Sequence, residues 1–253
     1  MDYEDEILPE LKTWQKTMLR EPSLFNKMSK RLQDKMNKVI PEKVHKVITT
    51  TIKQMIRAVL FGAEIITPKP FQNASLEVRE ARVQEKIKFY RTTSAAEGAI
   101  TGAGGILLGL ADFPLLLGLK LKMLFDIATL YGCRTDDYKE RVYILYIFQL
   151  AFSSHEHRKN IYLKMINWQE QSQQLPEDIH QFDWRRLQQE YRDYIDIAKM
   201  AQLVPLIGAP VGAVVNYRLI KKLGITAMNA YRMRWFENNL LDKNLYAQGL
   251  LCQ

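Results

Sequence analysis

Between Gly98 and Leu119 the chain reads GAITGAGGILLGLADFPLLLGL, and Asp112 is its only charged residue. Gly98/Gly102 and Gly105/Gly109 are four apart, and Gly208/Gly212 repeat the spacing in LVPLIGAPVGAVVN, residues 203–216. Small residues at this spacing make a smooth helix face that another backbone can approach closely. Glycine costs about 1 kcal/mol relative to alanine in a water-exposed helix, so this many call for a tightly packed or lipid-shielded setting. The pattern therefore predicts two glycine-rich helical segments packed in a core. As a single span, 98–119 would place Asp112 past its middle, at a cost of order 3 kcal/mol. Two short helices meeting at 110–114, with Asp112 as N-cap before Pro114, fit better.

Helical periodicity extends over almost the whole chain. Phe25, Met28, Leu32, Met36, Val39 and Ile40 form one apolar stripe, with Lys27, Lys30, Arg31, Lys35 and Lys38 between them. After Pro41 the stripe is Val44, Val47, Ile48, Ile52, Met55, Ile56, Val59 and Leu60, and Lys43, Lys46, Lys53 and Arg57 stay on or beside its polar side. Residues 75–91 read as a charged helix. Ser94 with Glu97 has capping-box spacing, which predicts a new helix start there. A helix through Leu124 and Phe125 should stop at Tyr131-Gly132 with the glycine as cap. Asp137 with Glu140 marks the next start, before RVYILYIFQLAF. Helices over 158–174 and 182–202 follow, and another from Tyr217 through Arg234. No stretch alternates cleanly between turn residues as a strand would. The expectation is an all-α, single-domain bundle of about nine or ten helices spanning 1–253, with a basic amphipathic region (1–70), a glycine-rich core (71–236) and a flexible tail (237–253).

The two glycine segments invite comparison as a degenerate internal duplication: each is followed by a polar residue, Asp112 or Asn216, and leads toward a tyrosine, Tyr131 or Tyr231. On that reading Asp112 and Asn216 lie close together, with Arg218, Arg232 and Arg234 as available partners for a carboxylate in apolar surroundings. The plainer alternative is that Asp112 and Asn216 are helix caps.

Nucleotide, metal and catalytic motifs fail on spacing. GAGGILLG lacks the Gly-Lys-Ser/Thr ending of a phosphate loop, and Leu107 stands where a dinucleotide fingerprint needs its third glycine. His155 and His157 would point about 200° apart on a helix, too far to share a metal. Cys133 and Cys252 make neither a disulfide scaffold nor a zinc site. No cofactor and no catalytic residue are therefore assigned.

The net charge is +8, and the excess lies at the two ends, 1–94 and 203–253, around a nearly neutral middle. A nucleic-acid partner would bring a recognisable motif or aromatics interleaved with arginine, and neither is present. Basic amphipathic helices beside apolar segments suit docking on an anionic membrane surface, with Lys221 and Lys222 joining the N-terminal lysines. Arg232-Met-Arg234-Trp235-Phe236 has the composition of an interfacial anchor. With no apolar leader at the start, the expected location is cytoplasmic, peripheral on the inner face of the cell membrane. Two further readings stay open: a soluble bundle holding a lipid or other apolar ligand, and an enzyme acting on a membrane lipid around Asp112.

GLADFPLLLGLKLKMLFDIATLYG (109–132), ERVYILYI (140–147), VPLIGAPVGAVVNYRLI (204–220) and AMNAYRMRW (227–235) resemble the EcsC family of bacterial proteins, and the likeness covers roughly residues 5–236. The resemblance implies a transporter-associated role in Gram-positive bacteria, in an operon linked to secretion, competence and membrane proteolysis. A membrane subunit of an ABC transporter is then an expected partner. It implies no established activity.

Overall fold

The computed structural model describes residues 3–20, 42–61, 69–103, 105–194 and 208–247, with side chains for all of these except 45, 98–110, 155–156, 192–194, 208–212 and 240–247. The expected basic helix carrying Lys27, Lys30, Arg31, Lys35 and Lys38 lies outside the described residues. Among those described, nine α-helices and no strand form one domain. They are α1 (Tyr3–Leu19), α2 (Glu42–Phe61), α3 (Leu76–Ala103), α4 (Gly105–Leu130), α5 (Tyr138–Phe152), α6 (His155–Leu163), α7 (Trp168–Gln173), α8 (Trp184–Tyr194) and α9 (Gly208–Ala247). A short 3₁₀ turn, Ile179–Gln181, precedes α8.

Three of these bounds correct the sequence expectation. Helix α3 does not restart at Ser94; that residue is fully buried in its interior. Leu76, Val83, Ile87 and Tyr90 pack inward along one stripe, and the helix continues past the capping signal because α9 runs beside it. Helix α4 is unbroken at 110–114, with Pro114 inside it and Asp112 in mid-helix rather than at a cap. Proline in a helix interior costs roughly 3 kcal/mol. Continuing the helix keeps Phe113, Leu116, Leu117, Leu121 and Leu124 buried on one side, and burying one such side chain contributes about 1.5–3 kcal/mol. The helix expected over 158–174 is broken between α6 and α7, where Asn167 adopts φ +51°.

Other signals were met. Gly132 takes φ +88°, its N–H bonds Thr129 O (3.0 Å) and Cys133 N–H bonds Ala128 O (3.0 Å), which is the double closure expected where glycine ends a helix. Asp137 caps α5 by accepting from Lys139 N. In α2 the predicted stripe is buried from Val44 to Leu60 except for the half-buried Val47, and Lys43, Lys46, Lys53 and Arg57 are exposed.

Helix α5 is apolar nearly all round and buried from Val142 to Leu145 and Ile147 to Phe152, which makes it the central element. The broadest pairing is α3 with α9. Contacts at Glu80–Arg232, Ile87–Gly224 and Arg91–Tyr217 show the two running antiparallel. No helix among the described residues is long and apolar enough to cross a membrane. Backbone at the glycines Gly98, Gly102, Gly105, Gly109, Gly208 and Gly212 is helical, but their packing lies outside the description, as does the duplication.

Candidate functional site

Polar groups are buried at both ends of the α3–α9 pair. At one end Lys120 and Asn216 are fully enclosed. Lys120 Nζ donates to Leu116 O (3.1 Å) and to Asn216 Oδ1 (3.3 Å). Burial pulls the Lys120 ammonium down to about 7, against an opposing attraction from Glu97 of α3. Glu97 is in turn held above its ordinary value by burial, with Lys120 acting against the shift and Asp112 reinforcing it. Asn216 is thus paired with Lys120, and Asp112 acts on this end only through its charge on Glu97. Arg218 is not a member; it is exposed on α9.

Arg232 and Arg234 also turn elsewhere. Arg232 is bidentate to the fully buried Glu80 of α3, Nε to Oε1 at 2.6 Å and Nη2 to Oε2 at 2.5 Å. Tyr131 OH and Tyr3 OH donate to the same carboxylate at 3.0 and 2.7 Å. Arg234 Nη1 donates to both oxygens of Glu140 (3.0 and 2.7 Å), and Tyr231 OH donates to Glu140 Oε1 (2.7 Å). The two ion pairs are joined by stacked rings, Tyr131 and Tyr231, with centroids 5.2 Å apart and 18° between planes. Burial alone would disfavour both guanidinium charges, but Glu80 and Glu140 outweigh it and hold the arginines above their ordinary value. Beside them, burial pushes the Cys133 thiol up to about 12, with Glu140 adding to the shift, so Cys133 is a thiol rather than a thiolate. The residues expected to anchor at an interface are therefore turned inward: Arg232 is buried, and Trp235 Nε1 donates to Glu4 Oε1 of α1 (2.8 Å).

Sequence reading missed Glu80, Glu140 and Lys120 as buried charges. The signal was present: Glu80 stands four after Leu76 and three before Val83, on an apolar stripe where a charge needs a partner. Its partner, 152 positions away, was not visible.

The exposed side of α9 is different in kind. Val214, Tyr217, Arg218, Lys221 and Ile225 recur at three- and four-residue spacing and are all exposed. From Leu203 to Phe236 the sequence contains no Asp or Glu. Arg91 lies over the Tyr217 ring at 4.0 Å, and α3 exposes Phe89 on its outer side. On α4, Ala111, Pro114, Leu115 and Gly118 are exposed as well.

A cavity of about 350 Å³ opens where α5 begins, between α7 and α9, and Glu140 and Arg234 line it. No group of His, Cys, Asp and Glu among the described residues could hold a metal.

The EcsC protein family model matches residues 5–236. The chain is 43% identical over 229 residues to Protein EcsC of Bacillus subtilis (strain 168), covering 90% of this chain and 94% of that one. It is 35% identical over 146 residues to Uncharacterized protein YdbA of the same strain, covering 57% of this chain and 53% of that one. No solved structure matches.

Proposed function

The chain belongs to the EcsC protein family, and from that premise we propose that it is a non-catalytic accessory protein that docks peripherally on the cytoplasmic leaflet and serves an ABC transporter's membrane subunit. The observation that carries the membrane reading is the outer stripe of α9. Arg218 and Lys221 stand among Val214, Tyr217 and Ile225, with no acidic side chain for more than thirty residues. Basic side chains near an anionic leaflet contribute about 1 kcal/mol each, and apolar neighbours enter the headgroup boundary. Lys43, Lys46, Lys53 and Arg57 on α2 add exposed positive charge, and Lys222 adjoins the stripe. Family membership supports the transporter link.

The test is co-sedimentation with phosphatidylglycerol-containing vesicles against phosphatidylcholine vesicles in low salt. Binding should be selective for the anionic vesicles and weaken with salt. The double variant Arg218→Glu/Lys221→Glu should lose at least tenfold in affinity with an unchanged circular dichroism spectrum. Equal sedimentation with both vesicle types, or an unaffected double variant, would overturn the membrane reading. Failure of a transporter membrane subunit to co-purify from detergent-solubilised cells would remove the partner.

A further inference from the structure

We infer that the cavity between α5, α7 and α9 is a binding site for a small zwitterion, a molecule carrying one ammonium and one phosphate or carboxylate. Its volume, about 350 Å³, is at the small end of the range for small-molecule sites. The charges in its wall identify the chemistry, and the turn before α7 fixes its shape.

Arg234 reaches Glu140 through Nη1 alone, so Nη2 and Nε of a guanidinium lining the cavity have no hydrogen bond to the described residues. Lys139, also in the wall, is engaged with Glu177 at 2.8 Å, but Glu177 is 93% exposed. An ion pair of that kind is worth little and exchanges readily. Asp137 caps α5 through Oδ1, and its carboxylate lines the cavity. The wall therefore holds two cations and two carboxylates. A bare anion would meet Glu140 and Asp137, and a bare cation would meet Arg234 and Lys139. A ligand with both charges satisfies both sets, and Gln169, Ser172 and Asn238 supply neutral donors and acceptors at the rim.

Asn167 adopts φ +51°, the left-handed conformation that asparagine tolerates better than most residues with a side chain. It is fastened there by Glu237 of α9, whose Oε1 accepts from Asn167 N at 3.2 Å. This left-handed turn opens α7 and sets Trp168, Gln169 and Ser172 against the cavity.

A zwitterion of this class has two sources, a phospholipid headgroup or a free amino acid. The experiment titrates the intact protein with glycerophosphoethanolamine and with L-alanine, read by isothermal calorimetry and ligand-observed NMR, with inorganic phosphate as a third probe. Saturable binding of either zwitterion is expected, at least tenfold tighter than phosphate. Ser172→Phe, which fills the rim, and Lys139→Ala, which removes one of the two wall cations, should each weaken it at least tenfold while the thermal midpoint moves by no more than a few degrees. Binding of the headgroup alone assigns a lipid source, and binding of alanine alone assigns a free metabolite. No binding of either zwitterion, phosphate binding equally well, or unchanged affinity in Ser172→Phe would overturn the inference. These probes are soluble, so the outcome is independent of vesicle docking.

Discussion

Lys120 in its enclosed setting has lost most of the preference for a proton that a free lysine has, and the consequence is a pH dependence of stability. Unfolding returns it from about 7 to its ordinary 10.5. Between those values the unfolded chain binds a proton that the folded chain lacks, so stability rises with pH across that window. From about pH 9 the rise is opposed and then reversed, first because the buried Cys133 thiol ionises more readily in the unfolded chain. Tyr90, Tyr131, Tyr143, Tyr191 and Tyr231 are raised by burial, so the unfolded tyrosines ionise first. Urea unfolding should show about 1–2 kcal/mol more stability at pH 8.5 than at pH 7, and Lys120→Met should flatten that rise. At the other end of α9, Glu80→Gln leaves the buried Arg232 with only the exposed Glu10, 3.2 Å away, as a counter-charge. The expected loss is about 3–5 kcal/mol by the same measurement, whereas Glu177→Gln, at an exposed pair, should cost no more than about 1 kcal/mol.

Two glycines show how the helices meet. A Cβ built on Gly224 would stand 2.6 Å from Ile87 Cγ1, so the absence of a side chain there lets α9 approach α3. Gly224→Ala should destabilise by about 1–3 kcal/mol, and Ile87→Val should relieve part of the loss. Gly118, on the exposed side of α4, has nothing within 4 Å of an added Cβ. Gly118→Ala should therefore stabilise by about 1 kcal/mol through helix propensity alone. Thermal and chemical unfolding of both variants, measured side by side, checks the opposite signs. The glycines that drew notice in the sequence were those in GxxxG spacing. Gly224 stands outside that pattern, and its neighbour is on a helix 137 positions earlier in the chain.

At the scale of the molecule, α1 closes the structure over the buried arginine. Tyr3 donates to Glu80, Glu10 lies 3.2 Å from Arg232, and Glu4 accepts from Trp235. Removing residues 1–20 opens the Glu80–Arg232 pair to water and strips Ile7 and Leu11 from the core. The thermal midpoint should fall by about 10 °C or more, since several kcal/mol are lost and each one shifts a chain of this size by about 2–4 °C. Tyr3→Phe alone should cost only about 1 kcal/mol.

The all-α class, the buried stripe of α2, the Gly132 stop and the Asp137 cap were all legible in the chain. Each depends on residues three to five apart, and the 3.6-residue period makes such neighbours meet whatever lies beyond. The sequence also carried the mark of the buried charges, as single acids and a lysine standing on apolar stripes. Tertiary packing decided the rest. It carried α3 past Ser94 and α4 through Pro114, because burial along a whole helix outweighs a local stop signal. It assigned Glu80 to Arg232, Glu140 to Arg234 and Lys120 to Asn216, pairings across 152, 94 and 96 positions. A buried charge requires a partner, but only the crossing of helices determines which one comes within reach.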